Sequence, residues 1–111
     1  MASAQEIGYY ATVQTWAAGL REQWGEMPAD LDGRIEIVRQ FCDFVGEDPD
    51  AMIAACTRHV ESGKRIRIKA RRLYSEKIVE FQAAAGGDAR VGNIIRSFFI
   101  HNGIFMQAGL G

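Results

Sequence analysis

Apolar residues return every three to four positions in five separate stretches of this chain, and most of the stretches are closed by glycine or proline. That recurrence lays apolar side chains along one face of an α-helix, so the pattern confines the chain to packed helices. The first stretch runs from about Gln5 to Trp24, with Tyr10, Val13, Ala17, Leu20 and Trp24 on one face and Gly25 and Pro28 as its stop. The second runs from Leu31 to Val45 behind Asp30 as N-cap. It carries two stripes, Leu31/Ile35/Val38/Cys42/Val45 and Ile37/Phe41/Phe44, which predicts a central helix. Asp48-Pro49 reads as a cap followed by proline at the first helical position. The third helix is then expected from Pro49 to Val60, burying Met52, Ile53, Cys56 and Val60. After a break at Ser62-Gly63, the fourth runs from Arg65 to Ala85, with Ile66, Ala70, Leu73, Tyr74, Ile78 and Phe81 on one side. Gly86-Gly87 ends it, and Asp88 caps a fifth helix from Ala89 to His101, whose Phe98 and Phe99 face a core. Residues Lys64 to Lys69 also alternate as a strand would, but the helical period continues unbroken to Phe81 and helix is the expectation there. The expected fold is all-α: a compact bundle of four to five helices forming one domain over residues 1–111.

Hydrophobic residues make up 48% of the 111, enough to fill one core without a disulfide or metal staple. No stretch approaches the length of a transmembrane helix. Met1-Ala2-Ser3-Ala4-Gln5-Glu6 lacks the basic and apolar regions of a signal peptide, so a cytoplasmic location is expected. Cys42 and Cys56 fall inside helical patterns and are expected to be reduced and buried.

The net charge of −1 hides a strong asymmetry. Residues 1–50 hold three basic and ten acidic residues, whereas residues 51–111 hold ten basic and four acidic ones. Seven of the thirteen Lys and Arg lie between Arg58 and Arg72, with Glu61 as the one acid among them. A polyanion-facing half is the reading this suggests. Nucleic-acid affinity needs clustered cations, and specificity needs a helix that carries readers into the major groove. The fifth helix has that shape: Arg90, Asn93, Ser97 and His101 share one face, and Arg96 flanks it. His101, beside Asn102-Gly103, also suits a helix C-terminus. Within Lys64, Arg65, Arg67, Lys69, Arg71 and Arg72, a single helix could turn at most half toward one ligand. Gly92, in mid-helix, costs about 1 kcal/mol against alanine, which implies a close approach there by another helix or a DNA backbone.

Other chemistries have less support. Cys56-x-x-His59 has ligand-like spacing, but a structural zinc site needs four ligands, so no metal is expected. No nucleophile motif or glycine-rich phosphate loop is present, and Glu47, Asp48 and Asp50 are accounted for as turn and cap. Neither a cofactor nor catalysis is expected. A helical protein–protein interaction module is the alternative, with Tyr9, Trp16, Ile100, Phe105 and Met106 as a patch off the main core stripes.

Three segments resemble one family. Ile37-Val38-Arg39-Gln40-Phe41-Cys42-Asp43-Phe44-Val45-Gly46 is similar to an L-x-x-F-x-x-F-x-G helix, and Glu47-Asp48-Pro49-Asp50-Ala51-Met52-Ile53 is similar to a D-P-D-E-L-I link. Ile95-Arg96-Ser97-Phe98-Phe99, followed by Asn102-Gly103-Ile104, is similar to L-R-S-F-F-x-x-N-G-I. In this order they resemble the core-binding, SAM-like domain of tyrosine recombinases, above all phage and archaeal integrases, over about residues 10–105. The resemblance implies an orthogonal SAM-like bundle that sits on one face of double-stranded DNA. A catalytic domain of the parent recombinase, and other protomers on the DNA, would be its partners. It also implies contacts from the fifth helix by Arg90, Asn93, Arg96 and Ser97, and from the start of the second by Arg34. With Lys64, Arg65, Lys69 and Arg72 of the basic cluster, these make up the candidate DNA-binding set. At Gly92 the family often carries a bulky apolar residue. The family's catalytic arginine, histidine and tyrosine constellation has no counterpart, so the chain is expected not to cut DNA.

Overall fold

Side-chain caps and left-handed glycines set the helix ends. In the computed structural model, which describes residues 4–106, α1 (Ala4–Ile7) is a single turn and α2 spans Ala11–Trp24. They are followed by α3 (Leu31–Val45) and α4 (Pro49–Ala55), then strands β1 (Thr57–Val60) and β2 (Gly63–Ile66), and finally α5 (Ile68–Ala84) and α6 (Ala89–His101). Asp48 caps α4, its Oδ1 accepting from Ala51 N at 2.7 Å, and Pro49 takes the first helical position. Asp88 caps α6 through Arg90 N at 2.9 Å. Gly46 ends α3 at φ +79°, a conformation that costs other residues about 1–2 kcal/mol, and donates to Cys42 O. The start of α2 has no cap of its own. Asp50 reaches across from α4 and accepts from Thr12 N at 3.0 Å and from Thr12 Oγ1 at 2.5 Å.

The fold is mostly helical, and it departs from the all-α expectation at three places. The first helix is interrupted after Ile7, and α2 begins only at Ala11. The third helix stops at Ala55 instead of Val60, and the fourth starts at Ile68 instead of Arg65. Between them lies an antiparallel hairpin that pairs Thr57 with Ile66, Arg58 with Arg65, His59 with Lys64 and Val60 with Gly63. The physical reasons are local. Thr57, Val60 and Ile66 are β-branched and suit a strand. A helix continued back from Ile68 would stack Arg65 on Lys69 at i,i+4, a destabilising like-charge pair. Gly63, at φ +128°, serves the reversal after Glu61-Ser62, and Arg67 N closes the base of the hairpin on Cys56 O at 2.8 Å.

Helix α6 runs through the centre, packed against α2, α3 and α5. Phe98 meets Trp16 of α2 edge-on at 5.8 Å between ring centroids, and Phe99 meets Tyr74 of α5 at 5.5 Å. Phe41 of α3 packs edge-on against Phe81 of α5 at 5.4 Å. Trp16, expected off the core, is fully buried, whereas Trp24, expected on the core stripe, is largely exposed. The stripe of α2 is Val13, Trp16 and Leu20, because burying the indole removes the most apolar area. Asn102 locks the end of α6 to α2, its Nδ2 donating to Thr12 O at 3.0 Å and to Phe98 O at 2.9 Å. Among the described residues no helix is long and apolar enough to cross a membrane.

Candidate nucleic-acid interface

The hairpin and the first turns of α5 carry the cation cluster. Arg58 and Arg65 stand directly opposite each other on one face of the ribbon, and His59 and Lys64 on the other. Like charges so paired, as Arg58 and Arg65 are, oppose strand association, yet both side chains stand there exposed. Arg58, Arg65, Arg67 and Lys69, with Ile66 and Ile68, line an open groove of about 670 Å³ where the ribbon meets α5. Ile68 is 60% exposed on its rim. Arg72 is exposed one turn farther along α5, and Lys64 is exposed on the opposite face of the ribbon.

Two features make this cluster unlike the other basic residues near helix starts. First, none of Arg58, Lys64, Arg65, Arg67, Lys69 or Arg72 forms an ion pair among the described residues, whereas Arg34, Arg39 and Arg90 each hold a carboxylate. Second, α5 has no side-chain cap and no acid in its first turn, where acids are normally favoured by the helix dipole. The N-terminal end of α5 therefore presents backbone N–H groups and cations together, as an anion-binding surface does.

The other candidates are brought together elsewhere, and with acids. Asp30 bridges the starts of α3 and α6: its Oδ1 accepts from Arg34 Nε and its Oδ2 from Arg90 Nη2, both at 2.9 Å. Arg34 also lies over the Trp24 ring, 4.7 Å from its centroid, which fixes it further. The Arg34 hydrogen bond, ahead of that from Arg90, holds the Asp30 carboxyl below its usual range. The starts of α3 and α6 carry Asp30, Asp32 and Asp88 against Arg34 and Arg90, so the local balance is negative. Farther along α6 the candidates turn inward. Ser97 Oγ accepts from the buried Trp16 Nε1 at 3.0 Å, and Asn93 Oδ1 accepts from Arg96 Nη1 at 3.1 Å. Arg96 is only 8% exposed. Asn93 itself is exposed. The close approach at Gly92 comes from α5: a Cβ there would meet Gln82 Oε1 and Arg96 Nη1.

Arg58 on β1 and Arg67 at the start of α5 are cations of the cluster absent from the candidate DNA-binding set. Their signal was the strand-like alternation of Lys64 to Lys69, which finds its partner strand only if the third helix stops before Thr57.

Three further acids have structural partners. Glu47 accepts from Tyr74 OH at 2.7 Å, and Asp48 and Asp50 cap helices as described. Burial pushes the Cys42 thiol up to about 12 and the Cys56 thiol up to about 11. Among the described residues no group of three or more His, Cys, Asp or Glu is placed to hold a metal ion. Of the apolar residues expected off the core, Trp16 and Met106 are buried, while Tyr9, Ile100 and Phe105 are exposed. No family model, curated protein or solved structure matches the chain.

Proposed function

We propose that this chain binds double-stranded DNA, as the core-binding domain of a site-specific tyrosine recombinase or integrase that positions DNA for a catalytic domain. The unneutralised β-ribbon is the observation that carries the binding reading. Like-charged Arg58 and Arg65, paired across two strands with no ion-paired acid among the described residues, lower the stability of the isolated chain, and a polyanion removes that cost. Duplex DNA is the form that fits best. A two-stranded ribbon enters a major groove about 12 Å wide, whereas the deep, narrow major groove of A-form RNA excludes it. The ribbon also lacks the aromatic platforms on which single strands stack. Arg58 and Arg65 can take phosphates or guanine edges, and Arg67, Lys69 and the open start of α5 can take flanking phosphates.

The recombinase assignment rests on the order of the three motifs, which the fold places on α3, the α3–α4 link and α6. In this reading Arg34 and Arg90 contribute only if DNA displaces Asp30, and Arg96 and Ser97 support α6 from inside. The alternative, a protein–protein interaction module, draws on the exposed Tyr9, Ile100 and Phe105.

Fluorescence anisotropy with a labelled duplex tests the assignment of residues. Arg58→Ala with Arg65→Ala is expected to weaken binding at least about tenfold, since each lost phosphate contact removes a counterion-release contribution. Arg90→Ala with Asn93→Ala is expected to weaken it less. Equal binding by the wild type and the ribbon variant would overturn the ribbon as the interface.

A further inference from the structure

One cation is placed in the opposite way to the ribbon. Arg96 sits in the second half of α6 with 92% of its surface covered, since 8% is exposed. It has no carboxylate within ion-pairing distance among the described residues, and its one side-chain hydrogen bond runs from Nη1 to Asn93 Oδ1. A guanidinium has five N–H donors and stays charged in proteins. Burying it without a counter-charge is costly, and that burial is what pulls its pKa down.

Arg96 lines an open cavity of about 250 Å³ together with Gln23, Asn93, Ser97 and His101, and the apolar Ile100 and Met106 complete its wall. Among the described residues the wall contains no acid. Its acceptors are already engaged: Asn93 Oδ1 holds Arg96, Gln23 Oε1 meets His101 Nε2 at 3.1 Å, and Ser97 Oγ accepts from Trp16. The same residues also carry donors with no partner among the described residues, namely the Asn93 and Gln23 amide N–H groups, the Ser97 hydroxyl proton and the rest of the guanidinium. The volume falls below the roughly 300–1,000 Å³ of pockets that enclose a drug-sized ligand, so the occupant is a single small group.

We propose that this cavity is an oxyanion site that takes one carboxylate or phosphate group, with Arg96 as its charge partner and Asn93, Gln23 and Ser97 as neutral donors. The site is separate from the ribbon, and the proposal does not rest on the DNA-binding reading, although Asn93, Arg96 and Ser97 are among the residues which that reading names. Charge-assisted bonds to a guanidinium are about twice as strong as neutral ones, so Arg96 dominates the affinity.

The test is an NMR titration of the full chain at constant ionic strength, following the Arg96 Nε–Hε signal and the Asn93 and Gln23 side-chain amides. Inorganic phosphate is added in one arm and acetate in the other. A saturable shift of these signals in either arm is expected, and the arm that responds more strongly tells a phosphate site from a carboxylate site. Arg96→Gln should abolish the saturable shift, whereas Arg58→Ala with Arg65→Ala should leave it unchanged. Should Arg96→Gln fail to fold, the wild-type titration still decides, because it reads Arg96 directly. Signals that stay in place in both arms up to tens of millimolar, or that only drift linearly, would overturn the proposal.

Discussion

Single residues in α2 and α6 hold the two helices at a fixed spacing, and glycines show it most directly. A Cβ at Gly19 would lie 2.3 Å from His101 Nδ1 and 2.9 Å from its Cγ, the near end of the side chain, so the whole ring would have to swing away and leave Gln23. Gly19→Ala is therefore expected to destabilise the chain by about 1–3 kcal/mol, the usual cost of overpacking, read from urea unfolding. At Gly92 the obstacles are the far ends of Gln82 and Arg96, and Gln82 Oε1 has no partner to lose. Gly92→Ala is expected to be neutral or to stabilise by up to about 1 kcal/mol from helix propensity; a loss like that at Gly19 would contradict this account. Ser97→Ala should cost about 1–3 kcal/mol by leaving the buried Trp16 indole N–H without an acceptor, while leaving affinity for duplex DNA nearly unchanged. Glu36 adds a pH effect. Hydrogen bonds from Arg39 first and Gln40 second lower its pKa from 4.5 to about 2. A depressed folded-state value means its contribution is complete above pH 4.5 and is lost as pH falls toward 2. The pair is partly exposed, so that contribution is below about 1 kcal/mol. In acid titrations of stability, the gap between wild type and Glu36→Gln should close across that window. At this scale the sequence was readable where a residue type has one job: Asp48 and Asp88 as caps, Phe98 and Phe99 as core. It misled at Trp16, because a heptad-like count from Tyr10 points the indole outward, and only the interruption before Ala11 and the distant Ser97 explain its burial.

The elements divide in the same way. The bounds expected for α3 and α6 are the observed ones, because strong stripes and a glycine or Asn-Gly stop agree there; Asp88 caps α6 as expected, whereas Asp30 makes no cap hydrogen bond to α3 and holds Arg34 and Arg90 instead. The hairpin was not anticipated, although its alternation from Lys64 to Lys69 was visible. Four-residue strands are too short to outweigh a continuing helical period in one dimension, and what decides is pairing with Thr57–Val60, a contact that no local pattern encodes. That element carries the prediction that separates function from folding. Arg58→Ala with Arg65→Ala removes a like-charge cross-strand pair, so it should raise stability by about 0.2–1 kcal/mol while weakening DNA binding. A variant that loses both would mean that the arginines hold the hairpin together, and that their exposure serves the fold.

For the whole molecule, the acidic first half and the basic second half nearly cancel in charge, but among the described residues the fold pairs them only at Asp30–Arg90. Arg39 is held between Glu36 and Asp43 on α3, and Asp30 neutralises the Arg34–Arg90 end, while the ribbon and the start of α5 keep their charge uncompensated. This segregation is what a near-neutral chain needs in order to meet a polyanion with one face only. It was half visible in the sequence: the cluster's composition is plain, but its convergence depends on the hairpin. The most direct test of the central claim is the salt dependence of duplex binding. If the ribbon engages about four phosphates, log K against log salt should fall with a slope of about −3 to −4 for the wild type, and become shallower by about 2 in Arg58→Ala with Arg65→Ala. Absence of binding at low salt, or a slope unmoved by the ribbon substitutions, would contradict the account.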